Sequence, residues 1–491
     1  MIDENPVLFI SAGLLRPKKQ DHLLARQHRY LNYGLLGLAT VVSNAGYLTR
    51  VVHGHFEDPD DTLQRIEKYG LLSGPHPVFL SLPSSFAIGW AKRFAESLRR
   101  RHPRKQVVAG GRWVVGNDGA WIKSKIPELD LVVFGTAESR ILQLLSPSGW
   151  LDIPGTDLCP HHESLNPDGV GPHLNYALLD RLHEFQPSIE VSRGCGMGCA
   201  FCVEKDVTLT SLRSPHEIVK TFEHLKHEVF YRSVHPYFEC SFFKPSLLWA
   251  QALLSEQNLR GTKMHWRTES RVDMFTDKLL ETLAQAGLKV IDVGLESASP
   301  QQLLLMGKTT RPEIYLKKAS HLLRKCAELG IWVKVNVLFY AGETEQTICE
   351  TCDWLEAHRE YFKGVSVNSV IVYRGADSRK YLEELAKYGA TLVDPASLET
   401  YGYGFMHLSK DIDAERAQHL CASIARKFME AKDYYDLKAF SYFPAMFTFS
   451  EFLALAQKCN PDDLPFYISD ASVCSTACVN KSGISPERGM G

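Results

Sequence analysis

The chain has 491 residues, 45% hydrophobic and 23% charged, a soluble globular composition too long for one ordinary core and suggesting two or three domains. Its net charge of −2 supplies no field for nucleic acid or an anionic membrane, and no apolar run reaches spanning length, so neither partner is expected. The 12 scattered cysteines, and an opening Met1 to Pro6 with no basic or long apolar leader, point to a cytoplasmic chain with reduced thiols.

Strand and helix signals alternate from the start. Residues 7–11, 48–53, 78–82, 106–109 and 131–134 are short apolar runs. Helical spacing lies between them at 33–45, 62–69, 89–101 and 121–126, the first helix stopping at Gly46. This alternation predicts a doubly wound parallel α/β domain over 1–145, with ligands held beyond the carboxyl ends of the strands. Those ends run Ser11 to Gly13, Ser81 to Ser85, Gly110 to Trp113 and Gly135 to Glu138.

Residues 146–184 are rich in Pro, Gly, His and Asp and read as a linker. Cys159, His161 and His162 lack spaced partners and read as loop residues rather than metal ligands. A strand ending at Val191 then leads into Ser192-Arg193-Gly194-Cys195-Gly196-Met197-Gly198-Cys199-Ala200-Phe201-Cys202. Three thiolates at C-x3-C-x2-C spacing, with small residues in most gaps, suit a cubane iron–sulfur cluster with one iron left open. Zinc wants four ligands, and the nearest further cysteine, Cys240, is far along the chain.

Beyond the loop, Ser214, Pro215 and Glu217 mark a helix start. Strand ends near Glu239, Ser270, Glu296, Leu338 and Tyr373 then alternate with helices, about six strand–helix units over 185–388. Reacting groups on such barrels sit at the carboxyl ends of strands. Cys349 and Cys352 read as buried helix cysteines, and Cys459, Cys474 and Cys478 are too irregularly spaced to argue for a second cluster. Residues 389–491 read as a mostly helical lobe that caps the barrel. Its aromatic, glycine-hinged loop offers Tyr401, Tyr403 and His407 to a substrate.

The cysteine spacing, Arg193-Gly194 before it and Phe201 before its last cysteine resemble the radical S-adenosylmethionine (SAM) superfamily. Upstream lie the Gly34 to Ala39 helix ending at Gly46 and Tyr47, the Gly110-Gly111 turn, the Gly135-x-x-Glu138 strand end, and a connector with Pro172, Asn175, Tyr176, Leu179 and Asp180. In that order they make residues 7–388 similar to the cobalamin (B12)-dependent radical SAM family, the class B radical SAM methyltransferases. The resemblance implies a Rossmann-like cobalamin-binding domain, a partial (β/α)6 TIM-like barrel and a C-terminal substrate lobe. It implies a [4Fe-4S] cluster on the catalytic Cys195, Cys199 and Cys202, with S-adenosyl-L-methionine on the open iron.

On the same basis SAM contacts are expected from Phe201, Glu239, Arg271, Glu296 and Ser297, with Lys308 completing the pattern. Glu239 is followed by Cys240-Ser241 in place of the family's usual acidic text. Cobalamin contacts are expected from Ser11, Ser81, Ser84, Gly110, Gly111, Arg112, Gly135, Thr136 and Glu138. The Asp-x-His-x-x-Gly text that supplies a cobalt-ligating histidine elsewhere is absent. His53-Gly54-His55 does not fit it, so cobalamin is expected with no protein histidine on its lower face.

The implied activity is C-methylation of an unactivated carbon. One SAM methylates cob(I)alamin to methylcobalamin. A second, cleaved at the cluster, gives the 5′-deoxyadenosyl radical that abstracts hydrogen, and the substrate radical takes the methyl group from cobalt. A small molecule or peptide in biosynthesis or peptide modification is the expected substrate, and a flavodoxin- or ferredoxin-type protein the one-electron reductant. A cyclase or rearrangement catalyst without methyl transfer, and a non-catalytic cobalamin- or cluster-binding sensor, are the alternatives.

Overall fold

The run Val7 to Ile10 is wholly buried, as a central parallel strand covered by helices on both faces must be. It forms the middle of β1 (Asp3–Ser11) in a computed structural model that describes residues 3–16, 23–112, 119–146, 150, 171–230, 232, 234–375 and 377–468. The chain continues through α1 (Tyr33–Asn44), β2 (Tyr47–His53), α2 (Pro59–Lys68), β3 (Val78–Ser81), α3 (Ile88–Arg101), β4 (Val107–Gly110), α4 (Gly119–Lys125) and β5 (Leu131–Val132). The five strands make a parallel sheet in the order β2-β1-β3-β4-β5. Strand order switches direction at β1, which opens a crevice at the carboxyl ends of β1 and β3. Ser11 and Ser81 are paired in register at that point. Asn32, the N-cap of α1, accepts from Leu35 N and donates to both serine hydroxyls at 3.0 Å. One capping residue thus starts the helix and braces the crevice.

A second sheet follows: β6 (Ser188–Glu190), α5 (Pro215–His224), β7 (Tyr237–Glu239), α6 (Leu247–Leu259), β8 (Trp266–Arg271), α7 (Asp277–Gln285), β9 (Leu288–Glu296), α8 (Pro300–Leu305), α9 (Pro312–Glu328), β10 (Trp332–Phe339), α10 (Glu345–Ala357) and β11 (Gly364–Ser369). Its six parallel strands run in sequence order, β6 at one edge and β11 at the other, the curved sheet of a partial barrel. Alternation sorts the side chains. On β10, Val333, Val335, Val337 and Phe339 are buried against helices, while Lys334 faces the lumen. The fold is the expected α/β architecture: a doubly wound domain, then a (β/α)6 barrel.

The chain ends through β12 (Ile371–Tyr373), α11 (Ser378–Ala386), β13 (Thr391–Leu392), α12 (Ser397–Tyr401), β14 (Tyr403–His407), α13 (Ala414–Lys427), α14 (Ala431–Ala439) and α15 (Phe449–Ala456). Three details differ from the sequence expectation. The aromatic loop at 401–407 is mostly β14, the middle strand of an antiparallel sheet β12-β14-β13. Helix α6 had no clear signal, because Leu247, Leu248, Trp249, Leu253 and Leu254 fall around the helix rather than along one stripe. Cys349 is exposed, not buried. Cys159, His161, His162, Trp113, Cys474 and Cys478 lie outside the described residues. No helix among the described residues is long and apolar enough to cross a membrane.

Candidate active site

The cysteine loop leaves β6 and is shaped by glycine. Gly194, Gly196 and Gly198 take φ of 76°, 65° and 74°, which a Cβ disfavours. A Cβ on Gly194 would lie 2.1 Å from the Thr208 carbonyl oxygen. Backbone bonds fix the turn: Cys195 N to Val207 O at 2.9 Å, Cys202 N to Cys199 O at 3.0 Å and Ala200 N to Met306 O at 2.9 Å. All three thiols are free, with Cys199 buried and the others half-buried. Burial pushes the Cys195 and Cys202 thiols up, and the charges of Cys195 and Cys199 push Cys202 further. Among the described residues no three His, Cys, Asp or Glu side chains converge tightly enough for a single metal ion. Three thiols on one loop at C-x3-C-x2-C spacing fit a multi-iron cluster with one iron left open, whereas zinc wants a fourth ligand.

Most residues expected at SAM gather beside the loop. Arg271 Nη1 donates to Cys199 Sγ at 3.6 Å, while its other nitrogens hold Asp273 and the Lys308 carbonyl at 2.7 Å. Lys308 Nζ pairs with Glu296 at 2.9 Å and stands 5.9 Å from the Phe201 ring. Glu296 holds a left-handed φ of 66°, the strained conformation often stored at functional sites. Glu239 accepts from Ser188 Oγ at 2.7 Å, and burial raises its carboxyl to about 7. Ser297 stands apart: it is buried, and its hydroxyl meets Thr351 Oγ1 at 3.1 Å and accepts from Ser299 N. Cys240 is a core thiol against Thr268 and the Phe238 carbonyl.

A cavity of about 1440 Å³ joins the two sheets. Ser11, Ser81, Ser84, Gly110, Gly111, Arg112, Gly135, Thr136 and Glu138, the residues expected at cobalamin, all line it. Gly111 takes φ 108°, and a Cβ there would sit 2.8 Å from Ser81 Oγ, so the turn can only be glycine's. Phe9, Leu35, Leu38, Phe79, Ile141 and Leu144 give the cavity an apolar arm. Ser84 Oγ, Ser192 Oγ and Glu204 Oε2 reach it buried and with no hydrogen-bond partner among the described residues. A large amphipathic group with hydrogen-bonding edges suits this lining. Across the cavity Arg193 joins Glu138 of the first domain at 2.8 Å to Glu190 of the barrel at 2.7 Å, and Arg112 pairs with Glu204 of the cysteine loop.

His53 and His55, set aside in the sequence because they do not fit the cobalt-ligating motif, also line the cavity. Their signal was two histidines at the end of a strand. Asn32 N donates to His53 Nε2 at 3.1 Å, which leaves the ring proton on a buried, unpartnered Nδ1. Burial holds His53 neutral, its ionisation lowered to about 3, and lowers His55 as well. Tyr33, on the first turn of α1, lines the same space. The residues expected at substrate are not in this cavity. Tyr401 is half exposed, Tyr403 packs 4.2 Å from the Phe86 ring, and His407 Nδ1 accepts from Ala414 N at the start of α13.

Residues 189–355 match the model of the radical SAM superfamily. The matched stretch runs from β6 to α10 of the barrel. No curated protein matches it. Among solved structures it is similar to the radical S-adenosylmethionine methyltransferase TsrM from Kitasatospora setae with cobalamin and a [4Fe-4S] cluster bound. They share 17% identity over 88% of this chain and 90% of that one, with a TM-score of 0.62. TsrM with tryptophan substrate and a SAM analog matches at 19% identity over 74% and 73%, TM-score 0.56. The cobalamin-dependent radical enzyme OxsB with aqua-cobalamin and S-adenosylmethionine bound matches at 14% over 89% and 67%, TM-score 0.62. At these identities the likeness is one of fold, and it spans both sheets.

Proposed function

We propose that this chain is a cobalamin-dependent radical SAM C-methyltransferase that methylates an unactivated carbon of a small molecule or peptide. The observation that carries the reading is the single cavity lined from both sides, by the strand ends of the first domain and by the loop that follows Cys202. Cys195, Cys199 and Cys202 would hold the [4Fe-4S] cluster. Phe201, Arg271 and Glu296 would meet SAM, with Glu239 facing its amino group. The lining from Ser11 to Glu138 would hold cobalamin. When bound, the cluster and SAM supply a 5′-deoxyadenosyl radical, and cobalamin supplies a methyl group.

The chain's own work is positioning. Asp273 and the Lys308 carbonyl fix the plane of Arg271, leaving Nη1 toward the cluster side. Lys308 fixes the strained Glu296. Asn32 braces the two strand ends beneath the cavity, and Arg193 keeps the domains in register around it. The likeness to the methyltransferase TsrM favours methyl transfer over a cyclase or rearrangement, and turnover of SAM separates this reading from a non-catalytic cobalamin- or cluster-binding sensor. The test is anaerobic reconstitution. Purified protein takes up four irons and one cobalamin under this reading, numbers set by one cubane and one cofactor site. Under reductant it makes 5′-deoxyadenosine, and Cys199→Ala abolishes that product. Full cleavage of SAM by Cys199→Ala protein contradicts it.

A further inference from the structure

Below the cysteine loop the barrel lumen carries charges that neither cofactor needs. Strand register sets them in layers. Arg271, whose Nη1 reaches Cys199, lies level with Gly294 of β9. Two residues deeper, about 7 Å along the strand, Glu269 of β8 lies level with Asp292 of β9, and Asp292 with Lys334 of β10. Arg267, on the same face of β8, lines the cavity together with Lys334.

The charges in this layer do not close on one another. Asp292 is held at both oxygens by Arg267, at 2.9 and 2.8 Å, and by Lys334 at 3.3 Å. Two cations share that carboxylate, so one positive charge is left over on the β10 side. Glu269 pairs with no cation and its carboxyl accepts no hydrogen bond among the described residues; burial keeps it protonated while the lumen is empty, and a cation brought beside it lets it ionise. Among the described residues no ion pair joins Glu269 to Lys334, whose Nζ is turned to Asp292. With β9 between them, their backbones stand about 10 Å apart. Asn336, next on the Lys334 face, also makes no side-chain hydrogen bond among the described residues; it and Glu269 are only half-buried, and Glu269 shares a strand face with the cavity-lining Arg267. Ser192, only 2% exposed, lines the same cavity with no partner for its hydroxyl among the described residues. A surplus buried cation and a buried carboxyl with no hydrogen-bond partner are both costly until something meets them. A group that carries both charges on neighbouring carbons bridges them with charge-assisted hydrogen bonds at both ends.

We propose that the barrel lumen beneath the cysteine loop is the substrate subsite and takes an α-amino acid headgroup, its ammonium at Glu269 and its carboxylate at Lys334. The proposal rests on this cavity being the reaction site.

The test is calorimetric titration of wild-type protein, apo and cofactor-loaded, with each proteinogenic L-amino acid. It then uses the decarboxylated amine and the deaminated acid of whichever binds most tightly. The expected result is binding of at least one amino acid, with both analogues at least about tenfold weaker. E269Q, which keeps the side chain's shape, weakens the amino acid and the amine but not the acid; K334M weakens the amino acid and the acid but not the amine. The proposal is overturned if loaded protein binds no amino acid, or if both variants bind it as wild type does. Protein that takes up neither cofactor but still binds an amino acid through Glu269 and Lys334 supports the subsite and overturns the methyltransferase reading instead.

Discussion

Cys199 and Cys240 are both buried thiols, and their neighbours separate them. Cys199 sits beside the Arg271 guanidinium on a glycine-shaped loop, whereas Cys240 points into the core against Thr268. Cys240→Ala should therefore keep full iron content and lose about 1 kcal/mol of stability, the scale of a small core truncation. Cys199→Ala should lose most of its iron while its unfolding midpoint changes little. Iron assay and thermal unfolding separate the two.

Glu269 makes a second prediction at this scale. Burial raises its carboxyl from 4.5 to about 8; Asp292 and Glu239 push the same way, while Lys334 and Arg112 pull it down. A carboxyl with a raised folded value binds more protons in the native state than in the unfolded chain. Its stability contribution is present at low pH and is lost as pH rises through about 8. E269Q should therefore gain stability relative to wild type between pH 5 and pH 9, by an amount on the order of a few kcal/mol. A difference that stays constant across that range contradicts the placement.

At the scale of elements, the cysteine loop depends on a backbone only glycine tolerates. Gly194→Ala must displace the Thr208 carbonyl or leave the left-handed region, at a cost of roughly 1–3 kcal/mol. Iron uptake should fall in that variant while cobalamin uptake is kept. Gly111→Ala should do the reverse, because its Cβ would strike Ser81 in the crevice. Parallel iron and cobalamin assays check both.

Much of this was legible in the sequence. Each strand of the first domain is an apolar run ending in Ser or Gly or next to one, so its strand ends could be named before the cavity was seen. Arg271 and Glu296, proposed to meet SAM, could be named because each ends a barrel strand in text that resembles the family's. Ser297 shows the limit. One residue past a strand end, spacing does not reveal which way a side chain turns, and it turns toward Thr351 of α10. Strand β14 was hidden for another reason: Gly402 and Gly404 look like hinges, but Gly404 is buried where a Cβ would meet Leu392 and Ser397. The lumen layer was invisible because pairing Glu269, Asp292 and Lys334 needs the register of three strands far apart in sequence.

At the scale of the whole molecule, the two sheets are tied by ions around the cavity and the barrel is tied to its last helices through Arg267. That guanidinium, buried with Asp292, also donates to the Leu437 carbonyl at 2.5 Å. Arg267→Met should leave Asp292 with Lys334 alone and destabilise the fold by about 3 kcal/mol. Denaturant unfolding of the full chain measures it.

The central claim is that both sheets serve one reaction space, and isotope transfer tests it without knowledge of the substrate. Protein loaded with the cluster and reduced cobalamin is incubated anaerobically with a strong one-electron reductant and SAM carrying a labelled methyl group, and the cobalamin fraction and the nucleosides are analysed together. Label on cobalamin, with S-adenosylhomocysteine and 5′-deoxyadenosine both present, is the predicted result. Fully loaded protein that leaves the cobalamin unlabelled and makes no deoxyadenosine would contradict the account.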